Sequence, residues 1–494
     1  MRSRVLVTAI LAISMGLAGI GAICPWAQAG EYGVGPTRFA RLTPERTSQN
    51  GLGPIGKASQ ASGALDAPPL PPAGGAAAER AQLRQDGVGE IPQTPTPPAP
   101  LTLDELEQIA LESNPTLVQA RLAIQAARGN YLQAGLYPNP VIGYLSDEVG
   151  NEGRAGFQGG GVAQEIVTSG KLRLGRAVAS HEVEEARLAW EAQLRKVLND
   201  VRAGYYDVLV AQRLVEINEQ LVRIGEEGAQ ATEKLWAARE GSRTDVLQAR
   251  IEAETARLNL AAARHALQGA WRRLAAVLGR PDMPLPPLAG EVDKQLPAFD
   301  WEEALARLWA QSPELARARA AVERARCELA RQYALRVPNI ELEAAVKNDT
   351  LSRYTVADVG VAVPLPVFDR NQGRILRAQA DLAAAQQEVR RVELTLHDRL
   401  ASAFEQYATA RRRVEVYAAT ILPNAKASLD LVAAGYREGE FSYLHLLTAQ
   451  RTYFEANLNY LQSLRDFWLR CVEIEGLLLR GGLEPVERPE PSLD

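Results

Sequence analysis

One stretch of this chain occurs twice. Residues 112–143 run Glu112-Ser113-Asn114-Pro115, then a helical segment, then Tyr137-Pro138-Asn139-Pro140 into Val141-Ile142-Gly143. Residues 311–342 run Gln311-Ser312-Pro313-Glu314, a second helical segment, then Val337-Pro338-Asn339-Ile340-Glu341-Leu342. Pro115 and Pro313 lie 198 positions apart, and Pro138 and Pro338 lie 200 apart. The order of elements matches between the copies: a helix, a Pro-Asn breaker, alternating strands around a polar turn, then two very long helices. A duplication of this length fixes the architecture before any single residue does, because what one copy builds the other must build beside it.

Composition narrows the class. A chain of 494 residues ordinarily makes two to four domains. Its formal charge of -5, with both signs interspersed, argues against a nucleic-acid binder. After the N-terminus there is no unbroken run of 18 apolar residues, so a bundle of membrane-spanning helices is excluded. If this chain crosses a bilayer, it does so with strands that close into a barrel, since lipid tolerates no open sheet edge. The three cysteines, Cys24, Cys327 and Cys471, form neither a disulfide framework nor a metal cluster. The four histidines, His181, His265, His397 and His445, show no ligand spacing.

In chain order, residues 1–29 read as a secretory signal: Arg2 and Arg4, the apolar stretch from Val5 to Ile23, and the small-residue site Ala27-Gln28-Ala29. Cys24 is a lipid-anchor candidate, opposed by the bulky Ile23 before it. Residues 30–99 are a Pro/Gly-rich segment with the composition of disorder, ending in a polyproline-like run. The first repeat covers 100–290 and the second 291–480, with 481–494 a loose, Pro- and Gly-broken tail.

Thr102 with Glu105, and Asp300 with Glu303, have the spacing of capping boxes. Strands are predicted at about 141–147, 156–166, 339–347 and 354–366. In the third, Ile340, Leu342, Ala344 and Val346 alternate with Glu341, Glu343 and Lys347. In the fourth, Val359, Val361, Val363 and Leu365 alternate with Gly360 and Ala362. Period two with one apolar face is the strand signature, and strands of about ten residues cross a bilayer when tilted. A soluble hairpin packed on the helices is the plain alternative. Four strands cannot close a transmembrane barrel, so the membrane reading requires several copies to share one.

Long helices follow each hairpin, from Lys171 or Leu174 to Arg239 and from Leu376 to about Ala434, the second interrupted at Pro423. Leu194, Leu198, Val201, Tyr205 and Val208 step by three and four. So do Leu396, Leu400, Ala403, Tyr407, Ala410 and Val414, as coiled-coil packing requires. A helical path of about 60 residues is about 90 Å long. Each path reverses tightly, at 239–245 and at 436–443, into a returning helix of roughly 245–279 or 443–479.

These features resemble the TolC-like outer-membrane factor family, with the residues from about 101 to 480 covered. The resemblance rests on the paired Asn/Ser-Pro helix starts and the Pro-Asn strand entries. It rests further on Val162-Ala163-Gln164-Glu165-Ile166, on Val359-Gly360-Val361-Ala362-Val363-Pro364-Leu365, and above all on the reversals that continue into Thr244–Arg250 and Gly439–Arg451. Within that family the resemblance is compatible with the heavy-metal and multidrug branch, served by pumps of the RND type.

The resemblance implies a mostly α fold with a small β part. Three protomers would each give four strands to one twelve-stranded outer-membrane barrel, and the coiled-coil helices would form a periplasmic α-barrel. The function implied is a passive exit channel of a tripartite efflux or type I secretion system. Its partners would be a homotrimer of the chain, a periplasmic adaptor, an inner-membrane pump of RND or ABC type and outer-membrane lipid, with no nucleic acid.

Carried over residue by residue, the family's periplasmic gate falls on Asp245 and Tyr436, which would bond to each other. Its inner acidic ring falls on His445 and Thr448, where this chain departs from the pattern. Asp245, Glu438 or Glu440 would have to supply the missing charge, and a histidine ring would gain charge below about pH 6.5. The adaptor-docking turns are Gly241, Ser242, Arg243 and Thr244, and Gly439, Glu440, Phe441 and Ser442.

No catalytic, cofactor or metal constellation is present. Glu165 near Lys171, and the pair Glu184-Glu185, read as solvated helix faces. The competing function is a non-conducting periplasmic coiled-coil scaffold, and an exported hydrolase is more distant, lacking a clustered nucleophile and base. The cargo, whether drug, metal or protein, is not written in these residues.

Overall fold

The computed structural model describes residues 100–153, 155–294, 296–349 and 353–485. The signal sequence, Cys24 and the Pro/Gly-rich segment fall outside the described residues. The first copy contains α1 (Leu103–Ser113), α2 (Pro115–Gln133), β1 (Val141–Asp147), β2 (Phe157–Ile166), α3 (Lys171–Ala237) and α4 (Arg243–Val277). The second contains α5 (Trp301–Gln311), α6 (Pro313–Ala334), β3 (Ile340–Asp349), β4 (Thr355–Ala362), α7 (Gln372–Val416), α8 (Leu422–Arg437) and α9 (Tyr443–Glu475). The fourth strand stops at Ala362, short of the expected 366. Pro364 and Pro366 lack the amide hydrogens that would extend the ladder.

Local sequence explains the helix starts. Thr102 and Glu105 form a reciprocal capping box. Asp300 accepts from the amides of Glu302 (2.9 Å) and Glu303 (3.2 Å), so this cap is made by one side chain without the reciprocal half. Asn114 and Ser312 cap α2 and α6, each followed by proline at the first helical position, where no amide hydrogen is needed. Tyr417–Ile421 is a π-helical turn between α7 and α8. Pro423 has no N–H to offer the preceding turn, and the wider turn absorbs the lost bond.

The main core lies where the two copies meet. Val197, Val201 and Val208 of α3 pack with Leu106 of α1, Leu274 of α4 and Leu308 of α5. Leu396, Leu400, Ala403, Tyr407, Ala410 and Val414 of α7 join Leu464, Phe467 and Ile474 of α9 in the same core. The predicted α7 stripe is therefore buried in full. Indole and phenol groups tie the irregular linker between the copies to this core. Trp271 Nε1 donates to the Met283 carbonyl (2.9 Å) and Trp468 Nε1 to that of Val292 (2.7 Å). Tyr407 Oη donates to the Pro297 carbonyl (3.1 Å) and accepts from the Phe299 amide (3.1 Å). Below the core, α3 and α4 run as a coiled coil. Gly225 lets the helices close up there, since a Cβ would sit 3.2 Å from the Ala253 Cα.

The chain after α9 is not loose from residue 481 as its composition suggests. Asn199 Nδ2 donates to the carbonyls of Gly476 (2.9 Å) and Leu479 (2.8 Å). Thr116 Oγ1 and Gln193 Nε2 both donate to the Gly482 carbonyl, and the Gly482 amide donates to Asp200. A strap over residues 476–482 thus lies across α3 and reaches the start of α2. The two acidic groupings are solvated only in part, with Glu165 and Glu184 exposed but Lys171 and Glu185 buried. Glu185 is 4% exposed and pairs with Arg324 of α6 at 2.8 Å, although Glu184 is exposed. Lys171 is buried and donates to Asn339, whose own amide donates to Glu165 (2.6 Å).

Candidate functional site: a two-faced sheet and a helical tip

The four strands form one antiparallel sheet in the order β1-β2-β3-β4, leaving β1 and β4 as free edges within the chain. Its register sorts side chains by chemistry. Ile142 pairs with Val162, Val162 with Ala344, and Ala344 with Val359, so these four share a face. Tyr144, Leu342, Val346 and Val361 belong to it as well. This face carries no charged residue. It is open to its surroundings, with Ile142 83% and Val359 81% exposed.

All seven charged residues of the strands, Asp147, Glu165, Glu341, Glu343, Lys347, Asp349 and Asp358, point to the other face. An apolar face left uncovered opposite a charged one is the arrangement of a barrel wall between lipid and water. A hairpin packed on helices would bury its apolar face instead. Among the described residues no helix is long and apolar enough to cross a membrane.

The opposite end of the molecule is the pair of reversals, and here the duplication is visible in backbone geometry. Arg239 and Gly439, 200 positions apart, both adopt left-handed φ, at 61° and 81°. The Glu240 amide donates to Leu235 (2.9 Å) as the Glu440 amide does to Gly435 (2.8 Å). Glycine takes this conformation freely, whereas Arg239 takes it at a cost of about 1 kcal/mol. Ser242 caps α4 through the Thr244 amide. Ser442 at the equivalent place pairs its hydroxyl with His445 Nδ1 at 2.9 Å.

Of the docking-turn residues, Ser242, Arg243, Thr244, Gly439, Glu440, Phe441 and Ser442 are exposed and Gly241 is half-buried. Asp245, on α4, and Tyr436, on α8, do come near one another. Burial, and then the Asp245 carboxylate, push the Tyr436 phenol above its usual pKa. No hydrogen bond joins these two described residues within a single chain. Tyr436 instead packs edge-on against Tyr443 of α9, with ring centroids 6.0 Å apart. Burial, with Glu252, Tyr436 and Asp245 nearby, pushes the Tyr443 phenol up to about 12. Arg451 of α9 pairs with Glu252 of α4.

His445 and Thr448 lie apart from this group. Both are exposed on α9, and the Thr448 hydroxyl donates to the carbonyl of Leu444 (2.8 Å). Tyr443, Glu252 and Arg451 were not singled out from sequence. Tyr443 is the first helical residue after a turn, and only its place on the buried stripe with Leu446 and Leu447 marks it.

A sheet with its charges confined to one face and its apolar face uncovered, carried on a helical trunk, has the form of a segment of barrel wall. The model of the outer membrane efflux protein family matches residues 106–280 and 304–468, and this chain belongs to that family. The cobalt-zinc-cadmium resistance protein CzcC of Cupriavidus metallidurans is 31% identical over 401 residues, spanning 80% of this chain and 94% of that one. Among solved structures, the outer-membrane channel OprN superposes with a TM-score of 0.66 at 22% identity, over 77% of this chain and 91% of the other. The open-state MtrE outer-membrane channel of Neisseria gonorrhoeae gives 0.64 at 20% identity, over 79% and 91%.

Proposed function

We propose that three copies of this chain share one twelve-stranded barrel and form the outer-membrane exit duct of a tripartite efflux assembly. The observation that carries this reading is the sorting of all seven strand charges onto one face. Each copy offers two unpaired edges, β1 and β4, and joining β1 of one copy to β4 of the next removes every edge when the ring closes. Four strands per copy and three copies give an even, closable number. The helical trunk continues the duct into the periplasm.

The exposed turns 241–244 and 439–442 receive the adaptor of an energised inner-membrane pump, and the Asp245–Tyr436–Tyr443 group with Glu252–Arg451 holds the tip narrow. The name of the 31% identical relative points to divalent metal cations as cargo. The test is the oligomeric mass of protein extracted from membranes in detergent, with the same sample placed in a planar bilayer. A trimer giving discrete, mostly low-conductance steps is expected. Larger steps are expected from Asp245→Ala, and unchanged steps would remove Asp245 from the gate. A water-soluble monomer without channel steps would return the chain to the scaffold reading.

A further inference from the structure

The charges on the inner face of the sheet are unevenly compensated. At the end next to the helices, Glu165 stands opposite Glu341, and Glu343 stands opposite Ala163. Glu341 and Glu343 are exposed and make no ion pair among the described residues. Toward the hairpin end, Lys347 of β3 pairs with Asp147 of β1 and lies 2.6 Å from Asp358 of β4. It is the single cation of the strands.

One lysine can reach both edge strands because β2, lying between β3 and β1, presents no side chain there. The register partner of Lys347 is Gly159, and Gly161 is the next position on the same face. A Cβ on Gly159 would fall 2.0 Å from the Val346 carbonyl oxygen, so the glycine is required by the close approach of β2 and β3. The lysine side chain settles into this trough at 14% exposure, while its two aspartates are 53% and 49% exposed.

We propose that the barrel section selects permeant ions by the sign of their charge, that Glu341 and Glu343 give it a preference for cations, and that Lys347 sets the charge of its outer mouth by holding Asp147 and Asp358. This rests on the duct reading above. In a water-filled tube with a low-dielectric wall, charges on the lining act on every ion in transit and are weakly screened by the wall. Among the described residues no three His, Cys, Asp or Glu side chains come together to hold a metal ion. The proposed preference is set by the field of the lining acting on mobile ions.

The experiment uses the purified full-length oligomer in a planar bilayer under a KCl gradient, reading the reversal potential. Wild type is expected to favour potassium over chloride. The double variant Glu341→Gln/Glu343→Gln lowers the permeability ratio by at least about twofold, and Lys347→Gln raises it by a similar factor. Lys347→Arg keeps the charge and restores the wild-type ratio, which separates charge from any loosening of the sheet. Channel steps with one reversal potential for all four proteins would overturn the proposal and leave the duct standing. Absence of steps from a folded oligomer of every variant would overturn the duct itself.

Discussion

The lipid-and-water reading of the sheet makes a prediction in which neighbouring residues behave oppositely. Val359 and Gly360 are consecutive in β4, at nearly the same depth, and face opposite sides. Val359→Arg places a guanidinium on the apolar face, and near the bilayer midplane such a charge costs a transmembrane barrel about 2–4 kcal/mol per chain. A threefold barrel carries it three times, for about 6–12 kcal/mol per assembly, which is comparable to the whole stability of a typical folded domain. Gly360→Arg adds the same side chain to the other face. A Cβ there meets only Glu343, at 3.6 Å, an ordinary contact, and the new cation stands beside an acid. The assay is the fraction of protein found as heat-modifiable oligomer in the outer-membrane fraction, with the urea midpoint of the purified oligomer as a second reading. Val359→Arg should abolish assembly and Gly360→Arg should retain it. Equal assembly of the two, or a greater loss for Gly360→Arg, would refute the assignment of faces.

Other consequences concern the trunk and tip. Asn199→Ala leaves the carbonyls of Gly476 and Leu479 buried without their donor, and should cost about 2–4 kcal/mol. A lowered melting temperature and faster proteolysis after α9 would register the loss. Burial raises the pKa of Glu182 above its ordinary 4.5, with Glu185 and Glu328 adding to the rise and Arg324 and Arg331 opposing it. The fold therefore favours the protonated form, a contribution present below pH 4.5 and lost as pH rises through the elevated value. Glu182→Gln should accordingly melt higher than wild type near pH 8, with the difference shrinking toward pH 4.5. At the tip, Gly435→Ala would place a methyl 2.4 Å from the Phe441 ring. The ring must swing outward, and cleavage by chymotrypsin at Phe441 should quicken.

How much of this is written in the sequence depends on the distance over which each feature is specified. The α7 stripe from Leu396 to Val414 is legible because burial repeats with the helix itself, and every predicted member is buried. The two sheet faces are legible for the same reason at period two. The Pro423 irregularity is legible because proline acts on its own preceding turn. The strap over 476–482 is not, since its leucines continue the helical pattern and Gly481 and Gly482 read as the start of a loose tail, while its partners Thr116, Gln193, Asn199 and Asp200 lie hundreds of residues away in sequence. Glu185 is misread for a like reason: a charge on a long helix looks solvated until α6 brings Arg324 against it.

The tip combines both situations. Its turns are fixed locally, by left-handed residues 200 positions apart and by the serines that follow them. The contacts between the turns, Tyr436 with Tyr443 and Arg451 with Glu252, join three helices and have no local signature. The Arg451–Glu252 pair is partly exposed, and such pairs contribute at most about 1 kcal/mol each. In the proposed duct, a closure built from several weak contacts between turns that are themselves rigid would be released by a partner with modest differential affinity. The sheet is built the other way, with its charges committed to one face by a register that a one-residue slip would invert. On the duct reading, the same duplication yields one end whose strand register tolerates no rearrangement and another whose inter-helix contacts are weak enough to exchange.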